Sequence, residues 1–155
     1  MSVNFKMCLV GCGGVSHRYH GPSFMKYREN NPGFVTAACC DLDIEKAERH
    51  KQDIGFLRAY TDLHEMIETE KPDAVCVVVA ASAAASVCLQ VMEHGVPLMT
   101  EKPPGISIDE IDQLIEVSER KKISNMVAFN RRNTPLIVEC RKLIEEINDE
   151  ILYVR

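Results

Sequence analysis

The stretch "LVGCGGVSHRYH", Leu9 to His20, decides how the rest of the chain is read. An apolar run, "NFKMCLV" (Asn4 to Val10), stops at a cluster of glycines, as a central strand stops at a turn. A helix is expected through His17 and Tyr19, disturbed near Gly21-Pro22 because proline lacks the donor a helix interior needs. A glycine turn between strand and helix brings backbone N–H groups and the positive end of the helix dipole to one place, which suits a phosphate. In "GCGGVS" Gly11 permits the tight turn and Gly13 lets the backbone approach a pyrophosphate. Gly14 and Val15 are expected to bind the cofactor with them, and the third small position, where helix meets strand, is Ser16 instead of glycine. Such a turn also occurs in proteins that bind no dinucleotide, so its surroundings have to support it.

Outward from that turn, strands and helices alternate. "GFVTAACC" gives a second strand ending at Asp41, and Asp43 then caps a helix with Ile44, Ala47, Lys51 and Ile54 on one face and Gly55 as its stop. "TDLHEMIETE" is a short helix with Leu63, Met66 and Ile67 inward, ended by Lys71-Pro72-Asp73. Ala74 to Met92 is uncharged for nineteen residues, the length of a membrane span. Its change from valines to Ala and Ser favours a buried strand running into a helix. That helix closes at Gly95, "VPLMT" is the next strand, and "TEKPPG" (Thr100 to Gly105) leaves its carboxyl end, with Lys102-Pro103 a candidate for a cis bond. Ser107 to Glu110 has the form of a capping box, opening a helix with Ile108, Ile111 and Ile115 on one face. "SNMVAFN" is a further strand, and Thr134-Pro135 caps a last helix with Leu136, Ile137, Cys140, Leu143, Ile144 and Ile147 at three- and four-residue steps. The alternation implies an α/β fold, a doubly wound parallel sheet with helices on both faces and functional loops at the carboxyl ends of its strands. "EILYVR" (Glu150 to Arg155) reads more easily as the first strand of a second sheet than as an edge strand of the first, so the expected division is a dinucleotide-binding domain over 1–149 and the first strand of another α/β domain over 150–155.

Composition narrows the function. The 155 residues carry a formal charge of -5, and the short basic groups "NRR" and "RKK" make no stripe for nucleic acid or anionic membrane. Seven cysteines include no C-x-x-C pair, most lie in apolar runs, and a reduced, cytoplasmic setting is the default. The N-terminus lacks the pattern of a signal peptide. The five histidines show no metal-ligand or triad spacing and are read as surface or half-buried helix residues; no G-x-S-x-G or H-E-x-x-H motif is present.

Two further residues carry chemistry. Asp41 ends the second strand, where a carboxylate can accept both ribose hydroxyls of an adenosine and repel a 2′-phosphate, which favours NAD over NADP. Lys102 stands where a lysine could take the proton of a reacting hydroxyl or stabilise its developing charge, and the adjacent Glu101 would keep it charged. By chemistry alone the ordinary alternative, a solvated surface lysine, is favoured.

The pieces "GCGGVS", "CDLD", "EKPPGIS" and "VAFNRRNTPL", in that order, resemble the glucose-fructose oxidoreductase, inositol dehydrogenase and rhizopine-catabolism family (Gfo/Idh/MocA), and the likeness spans essentially the whole chain. The resemblance implies a Rossmann cofactor domain and an NAD(P)-dependent oxidoreductase acting on sugars, cyclitols or related polyols. Carried over, Glu101 lies near the nicotinamide ribose, Lys102 at the reacting hydroxyl, and Asn130 and Arg131 edge the same cleft. This reverses the balance on Lys102. The loop after the valine strand, with Ala80 and Ser82, would line the cofactor, although Ala81-Ser82 and Ser86 replace the family's usual Thr-Pro and histidine. Family members are about twice as long, with a C-terminal α/β domain that supplies the substrate pocket and usually the oligomer interface. The chain is therefore expected to be the cofactor-binding half of such an enzyme, inactive alone and a homo-oligomer when full length. The rival expectation is a non-catalytic nucleotide-sensing or interaction module on the same fold.

Overall fold

The computed structural model describes residues 4–147. Six strands, β1 (Phe5–Val10), β2 (Phe34–Cys40), β3 (Arg58–Tyr60), β4 (Ala74–Val77), β5 (Leu98–Thr100) and β6 (Asn125–Val127), form one sheet in the order β3-β2-β1-β4-β5-β6. Every pairing is parallel, and β1 sits centrally with Val10 opposite Cys40 on one side and Val77 on the other. The doubly wound α/β arrangement expected from the alternation is what the chain adopts. The strand expected at Glu150 to Arg155 lies outside the described residues.

Alternation along the central strands divides the core. Leu9, Cys39 and Cys76 face α1 (Gly21–Asn30) and α2 (Ile44–Ile54). Cys8, Val10, Ala38, Cys40, Val75 and Val77 face the opposite layer, built from α3 (Leu63–Glu70), α4 (Ala81–Glu93) and α5 (Ile108–Lys121). Six cysteines are buried as free thiols, and burial pushes Cys8 and Cys76 up to about 12, so they behave as small hydrophobes. Among the described residues no helix is long and apolar enough to cross a membrane, and the uncharged Ala74–Met92 segment divides into β4 and α4.

The caps follow local chemistry. Asp43 accepts from the N–H groups of Glu45 and Lys46, and α2 ends at Gly55 with φ +82°. Ser107 accepts from Glu110 N–H, while the Glu110 carboxylate takes the Ile106 N–H one residue before the cap. The disturbance expected at Gly21-Pro22 is a π-helical turn, Ser16–His20: Pro22 has no N–H to give, and Gly21 N–H reaches back to Ser16 O. Gly21 is also where α1 meets α2, since a Cβ there would lie 2.5 Å from Ile54 Cδ1.

Several expectations need correction. In α2 the buried stripe is Ala47, His50 and Ile54, with Lys51 only half-buried and Ile44 exposed. In α5 the inward residue is Leu114, flanked by Ile111 and Val117, while Ile108 and Ile115 are exposed. β3 was not expected: three residues are too few for a pattern, and they become a strand by pairing with Ala38 to Cys40. The last helix, α6 (Pro135–Ile147), forms as expected, but among the described residues its apolar side chains are all exposed, and its main contact is with the 3₁₀ turn Asn130–Asn133. The Thr134 hydroxyl donates to Arg131 O, not holding an α6 N–H as a cap would.

Candidate dinucleotide site

The carboxyl ends of the strands form one edge of the sheet, and the strand order reverses between β1 and β4. A parallel sheet opens a crevice at such a point. Gly11 lies there with φ +95°, and a Cβ on it would meet the Val78 carbonyl oxygen at 2.1 Å, so only glycine fits between the two strand ends. The next glycines differ: nothing lies within 4 Å of a Cβ built on Gly13 or Gly14, so their missing side chains leave an open cradle. His17 N–H donates to Gly13 O at 2.9 Å, which makes Gly13 the start of the helix. The N–H groups of Gly14 and Val15 then have no intrahelical acceptor and give the cradle its partial positive charge.

Ser16 is fully buried, with its hydroxyl 3.2 Å from His50 Nε2. Its place in the motif is to let the first helix close on α2, as a small residue must. Burial pushes the His50 imidazole down to about 4, so it packs there uncharged, stacked on Phe56. Cys12, between the glycines, is held as a neutral thiol by the Cys39 thiol beside it and by burial, and its Sγ donates to Cys40 O, so no thiolate opposes a phosphate.

Asp41 is fastened to the glycine turn. Its Oδ2 accepts from Cys12 N–H at 2.8 Å and its Oδ1 from Asp43 N–H at 3.0 Å. Asp43 does the capping, so Asp41 has its remaining lone pairs for a ligand. Gly11, Gly13, Asp41 and Ala80 line one cleft of about 560 Å³, roofed by Leu42, Val79 and neighbours from α3 and α4. These residues and spaces fit an adenosine diphosphate: an anion cradle, then a carboxylate where the ribose hydroxyls would fall.

Gly14, Val15, Ser16, Ser82, Glu101, Lys102, Asn130 and Arg131 do not line that cleft, and Gly14 borders an adjoining hollow with Gly13, His17, Lys46 and Arg49. Ser82 is exposed on the first turn of α4. Lys102 is exposed beyond β5, and its bond to Pro103 is cis, as the sequence suggested. Asn130 and Arg131 begin the 3₁₀ turn after β6, exposed, and Ala128 N–H to Thr100 O at 2.8 Å ties that segment to the Lys102 turn. Glu101 does not pair with the Lys102 ammonium. Its Oε2 accepts the Lys102 backbone N–H at 3.1 Å, and its Oε1 lies 2.8 Å from His20 Nε2. His20 was missed, since nothing in local spacing joins it to a residue 81 positions away. Among the described residues no group of three or more His, Cys, Asp or Glu could hold a metal ion.

The fold and the cleft define a Rossmann-type nucleotide-binding domain. Residues 5–129 match the model of the Gfo/Idh/MocA oxidoreductase family, NAD-binding Rossmann fold, and the chain belongs to that family. Among curated relatives it is 28% identical over 133 residues to D-apiose dehydrogenase of Paraburkholderia graminis, covering 86% of this chain and 34% of that protein. It is 24% identical over 155 residues to scyllo-inositol 2-dehydrogenase (NAD(+)) of Bacillus subtilis, covering 99% of this chain and 44% of that one. A dehydrogenase structure from Chromobacterium violaceum superposes with a TM-score of 0.83 at 24% identity, over 94% of this chain and 41% of its own. The chain thus spans less than half the length of these relatives.

Proposed function

We propose that this chain is the cofactor-binding part of an NAD-dependent dehydrogenase that transfers a hydride between nicotinamide and a hydroxyl-bearing carbon of a sugar, cyclitol or related polyol. The observation that carries this is the convergence of Gly11, Gly13, Asp41 and Ala80 on one cleft at the point where strand order reverses. The substrate class rests on the apiose and inositol dehydrogenases among the relatives. NAD is favoured over NADP because Asp41 presents a carboxylate at the ribose end and is followed by Leu42 and Asp43, not a basic residue. The nearby Lys46 ammonium is engaged by Asp43 at 3.3 Å.

When bound, NAD supplies the hydride acceptor. The chain's own part is to hold and aim. Gly14 and Val15 offer N–H groups to the diphosphate, Ala80 and Ser82 flank its far side, and Asp41 fixes the ribose. Lys102 would place an ammonium beside the substrate hydroxyl and stabilise the oxygen as negative charge builds, the hydroxyl proton passing to solvent water as the hydride leaves for nicotinamide. Glu101 sits at the nicotinamide ribose, with Asn130 and Arg131 along the rim. Residues 1–149 form this domain and 150–155 begin the next, and the whole enzyme is a cytoplasmic homo-oligomer.

Titrating NADH fluorescence against the chain and its Asp41→Ala variant tests the reading. Saturable binding that the substitution weakens is expected; no saturation up to about 1 mM, the top of the usual KM range, overturns it.

A further inference from the structure

His20 sits on the π-helical turn of the first helix, and its contacts form a continuous chain from the middle of the sheet to the Lys102 turn. Its side chain is 14% exposed and that of Glu101 21%, so their 2.8 Å contact is largely out of solvent. On the other side of the ring, Nδ1 lies 3.9 Å from the Cys76 sulfur on β4. Burial keeps Cys76 as a thiol, whose only proton points it to the role of donor. Nδ1 is then the acceptor, and Nε2 carries the ring proton and donates to Glu101 Oε1. The other carboxylate oxygen, Oε2, accepts the Lys102 N–H at 3.1 Å. Phe24 packs against the ring from α1 with centroids 6.5 Å apart, closing the imidazole between α1 and the sheet.

We propose that His20 is the positioning residue of Lys102: it holds the Glu101 carboxylate, which holds the Lys102 backbone, and so fixes where the ammonium projects from the end of β5. Lys102 and Pro103 are exposed and have no core packing to fix them, so a side chain anchored in the interior is what can order this turn. The assignment rests on Lys102 acting at the reacting hydroxyl, but the contact itself can be tested without cofactor or substrate.

The test uses the isotope-labelled chain, with His20→Leu and His20→Gln. Imidazole nitrogen shifts at about pH 8, where an ordinary histidine is neutral, report the tautomer. Amide exchange reports the Lys102 N–H. The proton is expected on Nε2. His20→Leu should speed exchange at Lys102 about tenfold, the size of one ordinary hydrogen bond, and leave the β1 and β4 amides unchanged. His20→Gln, which keeps a donor at similar reach, should restore most of the protection. A proton on Nδ1, unchanged exchange in His20→Leu, or no rescue by Gln would each overturn the proposal. The wild-type tautomer decides alone if His20→Leu does not fold. NADH added to the same samples separates the two ideas: no binding sinks the dehydrogenase reading, while the cofactor-free exchange result still decides the role of His20.

Discussion

Asp41 Oδ2 accepts the Cys12 N–H at 2.8 Å, so the acid that ends β2 is fastened to the glycine turn that ends β1. The two halves of an adenosine diphosphate site are therefore set relative to each other before any ligand arrives. Preorganisation of this kind reduces what binding must order.

Asp41→Asn keeps the shape but removes the charge and one acceptor oxygen. NADH affinity should fall about tenfold or more, as one charge-assisted hydrogen bond is worth about 1.5–3 kcal/mol. Affinity for NADPH should fall less, because the repulsion of a 2′-phosphate goes too. Parallel fluorescence titrations with both cofactors check this; an unchanged ratio of affinities would remove Asp41 from the ribose.

Gly11 and Gly13 stand two residues apart and should respond to alanine in opposite ways. Gly11→Ala puts a Cβ 2.1 Å from the Val78 carbonyl oxygen at φ +95°, so the chain should lose at least about 3 kcal/mol of stability, as strained sites do. Gly13→Ala meets nothing within 4 Å and should leave the urea midpoint nearly unchanged while weakening NADH binding, because its methyl enters the cradle. Equal destabilisation by both would contradict this account of the turn.

What the sequence disclosed was local. The turn at Gly11, the cap at Asp43 and the stop at Gly55 each depend on a residue and its near neighbours, so each could be seen in the string. Which face of a helix turns inward depends on what lies across from it. Ile108, Ile111 and Ile115 make a proper stripe, yet α5 meets α4 through Ile111 and Leu114, which leaves Ile108 in the exposed first turn. His50 carried a signal that its polar surroundings hid: it lies three residues after Ala47 and four before Ile54, on the buried side of α2. The contact of His20 with Glu101 joins distant parts of the chain and had no such signal.

The two apolar stripes near the end of the chain give a further expectation. Leu114→Ala should cost about 2–5 kcal/mol, the usual range for a buried leucine, whereas Ile108→Ser should stay within about 0.5 kcal/mol. Ile144→Asp on α6 should likewise leave the urea midpoint of the sheet domain unchanged, since among the described residues no side chain of that helix is buried. A large loss from Ile144→Asp would mean that α6 packs on the domain in solution.

His50 should make stability depend on pH in a defined window. Burial depresses its folded-state value to about 4, with His17 adding repulsion, while Asp53 and Asp41 oppose the shift only weakly. An unfolded histidine titrates near about 6.5, so between about pH 6.5 and about pH 4 the unfolded chain binds a proton that the folded chain refuses. Stability from this group is therefore complete above about pH 6.5 and is lost as the pH falls toward 4, by up to about 3 kcal/mol. His50→Phe removes the titration and keeps a ring against Phe56, although it also takes away the partner of the Ser16 hydroxyl. That variant should be less stable at pH 8 by about 1–2 kcal/mol, for the unpaired hydroxyl, yet lose less stability on going to pH 5 than the wild type does. Urea unfolding at the two pH values gives the comparison, and equal pH dependence in both proteins would show that His50 is not buried in its neutral form.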